Sequence, residues 1–457
     1  MKTIIVGAGI SGLATAHALL ESQSDLDLRV IESSDRPGGK IWSEKTSEGY
    51  LCEWGVNAFL DSKPKTLELA RSLNLEPVTS YDASRHRFIY SENKLRELPG
   101  SPPAFLKSDL VSWPGKLRIA LETLVPRASK TEETLKEFAI RRLGREAYEK
   151  LIDPMASGVF AGDPQQMSVN SCFPRIKEIE SEYRSLIIGL IKLQMKASKE
   201  GKKDRPQAGP AGKLTSFYNG MSELSDAIAA NLGDRLQLST GLDSISHDGD
   251  HYTLHLSNGQ QETTERVILA VPAYAQANIL SDLAPDITQI LSSLLYPPLA
   301  VCCFGYQRDK IKHDLDGFGF LVPSRERKKI LGNLWDVSIF PNRAPEGYVL
   351  LRTMIGGARA ADYVVDDQEK LADMVRGELA SIMGIDATPD FIKSYRHEKS
   401  IPQYTLGHAQ RLNTIEQALQ KLPNLILTGN AYKGVALNDC VANAYRIADS
   451  LTQNKKN

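Results

Sequence analysis

Apolar side chains at Ile4, Ile5 and Val6 run unbroken into a glycine, the pattern of a short strand buried on both faces. Residues 10–20 then carry small and apolar side chains at helical spacing, and residues 26–31 alternate like a second strand that stops at Glu32. Strand, turn, helix and strand make one βαβ unit within the first 32 residues. Residues 65–73 predict a short amphipathic helix, and 87–90 with 94–98 predict a hairpin about Ser91, Glu92 and Asn93. From about 105 to 196 the periodicity is helical, with Leu117, Leu121 and Leu124, then Leu135, Phe138 and Leu143, on common faces. Residues 197–212 have no period and read as a flexible surface loop. Strands are expected again at 236–239, 252–256 and 267–271, a mixed region at 296–422, a last strand at 425–427 and a last helix at 441–452. Because βαβ features recur at both ends and near the middle, one domain is expected to be assembled from separate segments.

Composition adds limits. A chain of 457 residues is too long for one hydrophobic core. Fifty-five Lys and Arg against 56 Asp and Glu leave a net charge of −1, so no basic field exists to hold nucleic acid. No apolar run approaches the ~18 residues of a spanning helix. The sequence starts directly on its first strand, from which no leader peptide is expected. Five cysteines without CxxC spacing predict a reduced, intracellular protein with neither a disulfide framework nor a metal site. Adjacent Cys302 and Cys303 are expected on opposite faces of one strand.

Between the first strand and helix stands Gly7-Ala8-Gly9-Ile10-Ser11-Gly12, which fits G-x-G-x-x-G. The first glycine permits the tight turn, the second admits a diphosphate to the backbone, and the third lets helix and strand pack closely. Free N–H groups and the helix dipole favour the anion. Glu32, 20 residues beyond Gly12, can accept ribose hydroxyls, so a dinucleotide site is expected. A second glycine pair, Gly38-Gly39, follows the acid, ahead of Lys40.

That order resembles the flavoprotein superfamily of amine oxidases and carotenoid desaturases, which implies FAD. The loop Glu53-Trp54-Gly55-Val56-Asn57-Ala58 is similar to the next flavin-side loop of that superfamily. Three further stretches resemble the oxygen-dependent protoporphyrinogen oxidase family in particular. They are Ser157-Gly158-Val159-Phe160-Ala161-Gly162-Asp163, continuing to Ser168 and Cys172-Phe173-Pro174; Ile401-Pro402-Gln403-Tyr404-Thr405-Leu406-Gly407-His408; and Gly429-Asn430-Ala431-Tyr432-Lys433-Gly434-Val435. Phe217, Gly220, Met221 and Leu224 fit as well. The resemblance runs from end to end and is weakest near 197–212.

The fold it implies is an α/β composite: a discontinuous Rossmann-like FAD-binding domain (1–62, 213–290, 423–457), a mixed-sheet substrate-binding domain (63–92, 291–422) and a helical membrane-associating domain (93–196). The implied FAD contacts are Gly7, Ala8, Gly9, Ile10, Ser11, Gly12, Glu32, Ser33, Lys40, Gly55, Val56, Asn57, Ala58, Leu242, Asn430, Val435, Ala436 and Leu437. Implied substrate contacts are Arg87 for a propionate, the Gly158 carbonyl, and apolar Phe318, Leu321, Leu334 and Met354.

The implied reaction is a six-electron oxidation of protoporphyrinogen IX to protoporphyrin IX in haem synthesis. It proceeds by hydride transfer to flavin, and dioxygen is reduced to hydrogen peroxide. The cofactor carries that chemistry, so no side chain is assigned as acid or base, and His408 is read as structural. Coproporphyrinogen III is the alternative substrate, and a flavin-free binding protein like the GDP dissociation inhibitors is a remote one. Apolar and basic residues mixed through 102–130 and 185–193 fit either an ordinary buried helix face or shallow insertion into a membrane; the resemblance implies the second, as peripheral contact with the inner face of a membrane from the cytoplasm. The family also implies a possible homodimer.

Overall fold

The computed structural model describes residues 1–128, 130–199 and 212–453, so most of the loop expected at 197–212 lies outside the described residues. Among the described residues, five parallel strands form one sheet in the order Leu236–Gln237, Leu28–Ile31, Thr3–Val6, Arg266–Leu269, Leu425–Leu427. Period-two alternation decides what each face meets. Ile5, Val30 and Ile268 point to one side, where helices Ile10–Ser22, Ser222–Leu232 and Leu437–Gln453 cover them through Leu13, Leu224, Val441 and Ala444. Ile4, Val6, Ile31, Val267 and Leu269 point to the other, against Leu242, Tyr252, Leu254 and Ala273. Strands from the N-terminus, the middle and the C-terminus thus share one sheet, as the segment pattern predicts.

A second sheet has seven strands, ordered Phe391–His397, Leu299–Gln307, Tyr348–Gly356, Ile330–Trp335, Gly319–Leu321, Arg87–Ser91, Lys94–Glu97. It is antiparallel except where Gly319–Leu321 runs parallel to Arg87–Ser91. One face packs Cys302, Phe304, Phe320 and Leu351 against Leu371, Val375 and Leu379 of helix Gln368–Met383. Cys303 falls in a separate cluster with Cys52 and Trp54, so the adjacent cysteines do point to opposite faces. All five cysteines are free thiols.

Residues 102–199 are mainly helical, around Leu135, Phe138, Ala156 and Phe160. Arg142 is fully buried there and is bound by Glu122 at 3.0 Å and Glu180 at 2.6 Å. Burying a guanidinium is tolerable only with such pairing. No helix among the described residues is long and apolar enough to cross a membrane.

Several element ends differ from the pattern, each for a local reason. The second strand starts at Leu28 because the Leu26 N–H closes a turn onto the Gln23 carbonyl. Leu236–Gln237 stops before Ser239, whose φ of 52° cannot continue a strand. The last helix begins at Leu437 rather than 441. Helix Pro64–Ser72 places Leu69 and Ala70 in the core of the parallel sheet, on the opposite side of the expected division after residue 62.

Candidate active site

The glycine turn joins Thr3–Val6 to Ile10–Ser22. A β-carbon on Gly12 would lie 1.9 Å from the Gly7 carbonyl oxygen, so the helix can approach the strand only with glycine there. On Gly9 a β-carbon would meet nothing within 4 Å, leaving open space in front of the helix N-terminus, whose first N–H groups have no intrahelical partner. Glu32 holds this turn in place. Its Oε2 accepts the Ala8 N–H at 2.7 Å, and its Oε1 accepts the Ser34 N–H at 2.9 Å and the Ser33 hydroxyl at 3.2 Å. The second glycine pair comes back to the first: the Gly38 N–H donates to the Ala8 carbonyl at 2.8 Å. A β-carbon on Gly39 would sit 3.1 Å from the Gly9 Cα. The Leu242 side chain is buried in the apolar cluster that includes Ile31, so its contact toward a cofactor would run through the backbone.

Lys40 and the 55–58 loop are interlocked, since the Gly55 Cα lies against the Lys40 carbonyl with no room for a β-carbon (1.8 Å). Lys40 Nζ donates to the Lys399 carbonyl. Burial pushes this ammonium down to about 8. Beneath the loop, the Glu53 carboxyl is fully buried, accepts the Ser43 hydroxyl at 2.7 Å and the Met221 N–H at 2.9 Å, and is pushed up to about 7 by desolvation. Arg352 binds the Glu53 carbonyl at 3.1 Å and Asp336 at 3.0 Å, fastening the loop to the seven-stranded sheet. Asn57 Oδ1 is buried without a hydrogen-bond partner among the described residues. At the C-terminal end, Asn430 lies in the turn after strand Leu425–Leu427. Val435 and Ala436 lead directly into helix Leu437–Gln453, whose first turn touches the glycine turn through Cys440 and the Ser11 side chain.

These residues fit a flavin dinucleotide. Open space at Gly9 faces unpaired N–H groups suited to a diphosphate, and the orphaned Asn57 oxygen needs a donor such as the N–H and hydroxyl groups of FAD.

The loop then connects to an apolar wall. Ala58 packs in one cluster with Leu334, Phe318 and Met354. Strand register aligns the wall, with Leu321 opposite Gly332, Gly332 opposite Met354, and Gly319 opposite both Leu334 and Arg87. Gly158 closes one side, since a β-carbon there would come 2.8 Å from Leu321 Cδ2. The Arg87 guanidinium lies 5.2 Å from the Phe318 ring centroid, and burial lowers its proton affinity. No acid pairs with it among the described residues. Neighbouring cations are already engaged: Arg359 by Asp153 and Ser157, Arg96 by Asp109 and Glu92, and Arg352 by Asp336.

The chain matches the family of flavin-containing amine oxidoreductases over residues 10–452. The chain belongs to that family. It is an FAD-dependent oxidoreductase. Among curated relatives, a chloroplastic protoporphyrinogen oxidase of Oryza sativa subsp. japonica is 35% identical, with 98% of this chain and 88% of the relative covered. A coproporphyrinogen III oxidase of Bacillus subtilis (strain 168) is 31% identical, with 98% and 97% covered. The crystal structure of a protoporphyrinogen oxidase candidate from Exiguobacterium sp. 255-15 superposes with a TM-score of 0.82 at 27% identity, over 99% of each chain.

Sequence reasoning missed the buried charges Arg343, Arg352 and Asp336, whose partners are remote along the chain. It also assigned no role to Tyr404, although that residue stands inside a motif carrying the resemblance.

Lys40 yields a prediction about FAD binding to this family member. In the cofactor-free protein it loses its proton near pH 8, because burial penalises the charge. A nearby diphosphate favours the charged form, so binding takes up a proton above that pH. The expected FAD dissociation constant is flat below pH 8 and rises about tenfold per unit above it, and Lys40→Met removes the slope. Fluorescence titration of apoprotein across pH 6.5 to 9.5 checks this; an unchanged slope in the variant would contradict it.

Proposed function

We propose that the chain oxidises protoporphyrinogen IX to protoporphyrin IX, with dioxygen as terminal acceptor and hydrogen peroxide as by-product. The observation that carries this reading is the unpaired, half-buried Arg87 on the edge of an apolar wall that shares a cluster with the flavin-side loop. A porphyrinogen is a wide apolar disc with carboxylates on one edge, and such a ligand needs apolar walls and a cation at the rim. Bound FAD supplies the acceptor for the electron pairs leaving the tetrapyrrole. The chain's own groups bind and orient: Arg87 takes a propionate in its bidentate fork, Phe318, Leu321, Leu334 and Met354 exclude water from the disc, and the Gly158 carbonyl faces the macrocycle. The relatives' names support both a dipropionate and a tetrapropionate porphyrinogen. A single unengaged arginine at the wall favours the dipropionate. Side-by-side kinetics decide: kcat/KM is expected to be higher for protoporphyrinogen IX than for coproporphyrinogen III, and the reverse order overturns the assignment.

Segments 1–62, 213–290 and 423–457, with the 64–72 helix packed into their core, are proposed to hold the cofactor, 73–92 and 291–422 the substrate, and 93–196 to rest on the inner face of the membrane. Support for the last is an apolar surface. Trp113 is 69% exposed, Leu124 77% and Met195 57%, with Leu106, Leu117 and Ile191 also exposed. Glu122 joins the two helical stretches by accepting from the Ser185 hydroxyl and the Leu186 N–H, so their apolar sides are neighbours. Lys107 and Lys192 flank them. Such a surface inserts shallowly and is helped by anionic lipid. The protein is expected to co-sediment with anionic vesicles, and a Trp113→Glu, Leu124→Glu variant to stay in the supernatant with its flavin intact. Equal sedimentation of both proteins rejects this docking face.

A further inference from the structure

The stretch 401–408 is a strap between the helical segment and the turn that leads into the C-terminal helix. On one side, Gln403 Nε2 donates to the Phe160 carbonyl at 2.9 Å, two residues after Gly158. The Ser168 N–H donates to the Tyr404 carbonyl at 2.8 Å, and the Leu406 N–H to the Gln166 carbonyl at 3.1 Å. Glu132 adds a clamp, accepting the Ser168 hydroxyl at 2.6 Å and the Gly407 N–H at 2.9 Å. On the other side the strap reaches the C-terminal turn: the Tyr404 hydroxyl donates to the Asn430 carbonyl at 2.6 Å and meets the Gly434 backbone, and His408 meets the Tyr432 backbone. The Tyr404 ring is 2% exposed, stacked on His408 at 4.1 Å and tilted against Phe160 at 6.4 Å. A buried ring stacked in this way holds its hydroxyl toward the turn.

We infer that Tyr404 is a positioning residue that fixes the turn at Asn430, and with it residues 435–437, relative to the wall formed by Gly158. This rests on the porphyrinogen reading only for the identity of the reductant, because the contact itself is to the C-terminal turn. Hydride transfer tolerates little misplacement of donor against acceptor. A turn released from the strap therefore costs flavin affinity and reduction rate together, while the rim contact that binds the propionate is untouched.

The test is Tyr404→Phe, which keeps the ring and its stacking and removes the hydroxyl. FAD binding to apoprotein, followed by fluorescence, is expected to weaken about fivefold, the loss of one neutral hydrogen bond. Anaerobic flavin reduction by protoporphyrinogen IX is expected to slow, with KM unchanged. Arg411→Lys is the control, since among the described residues the Arg411 guanidinium hydrogen-bonds Thr405 and Leu406 and not the C-terminal turn. It should leave FAD binding as in the parent. An unaltered dissociation constant in Tyr404→Phe, or an equal loss in the control, overturns the inference. Hydrogen exchange on the parent protein serves if the variant does not fold. FAD is expected to protect amides at 404–408 and Ser168 as well as those at 429–437, and protection confined to 429–437 overturns the inference. If the parent binds FAD but ignores the porphyrinogen, the functional reading fails and the flavin-affinity result still judges Tyr404.

Discussion

Arg87→Met is expected to lower kcat/KM for protoporphyrinogen IX by roughly 10- to 100-fold, the range for losing hydrogen bonds to a charged group. The change should fall mainly on KM. Arg87 lies at the rim of the wall, above Phe318, where it would hold a carboxylate equally in ground and transition states. Methionine keeps much of the stem's length and apolar contact, so melting temperature and flavin content should match the parent. Arg87→Lys should recover part of the loss, because an ammonium keeps the charge but lacks the planar fork. Steady-state kinetics check all three proteins. A variant in which kcat collapses while KM holds would remove Arg87 from substrate anchoring.

The second large effect separates two glycines of one motif. Gly9→Val should fold with the parent's melting temperature, since its β-carbon enters open space and its φ of −71° suits any residue. Its FAD affinity should fall about a hundredfold, the upper cost of overpacking, because the new side chain occupies the room in front of the helix N-terminus. Gly12→Val should fail differently. Its β-carbon would lie 1.9 Å from the Gly7 carbonyl, so strand and helix must part, and Leu13 and Ala14 leave the core. Loss of melting temperature should therefore accompany loss of flavin. Calorimetry with flavin titration checks both; a destabilised Gly9→Val would show that the space at Gly9 belongs to the fold rather than to a ligand.

What could be read from the residues was what is local. The first βαβ unit lies within 32 consecutive positions, and its register needs only alternation and a glycine turn. The hairpin Arg87–Ser91 with Lys94–Glu97 was legible for the same reason. The order of the seven-stranded sheet was not. Arg87–Ser91 finds its other neighbour at Gly319–Leu321, far along the chain, and nothing in either strand's alternation names the partner. The last helix begins four residues before its predicted start at 441, because its polar first turn finds partners inside the fold. Asn438 turns inward, accepting the Thr66 hydroxyl at 2.5 Å and donating to the Leu60 carbonyl at 2.9 Å, which satisfies a polar side chain inside the first turn. The candidate site divides likewise. Glycines and Glu32 announce themselves by spacing, whereas Phe318, Leu334 and Met354 have the composition of any core. Strand register brings Leu334 and Met354 to the Arg87 side, and Phe318 joins them through its ring contact with Arg87 and a shared cluster with Ala58.

Central to the proposed function is a flavin held by the glycine turns, the 55–58 loop and the C-terminal turn, beside a wall proposed to receive a flattened tetrapyrrole. Anaerobic mixing of the FAD-loaded protein with protoporphyrinogen IX tests that claim most directly. The account predicts that the yellow flavin absorbance bleaches within the mixing experiment and returns when air is admitted. A band that stays yellow in excess porphyrinogen would contradict it.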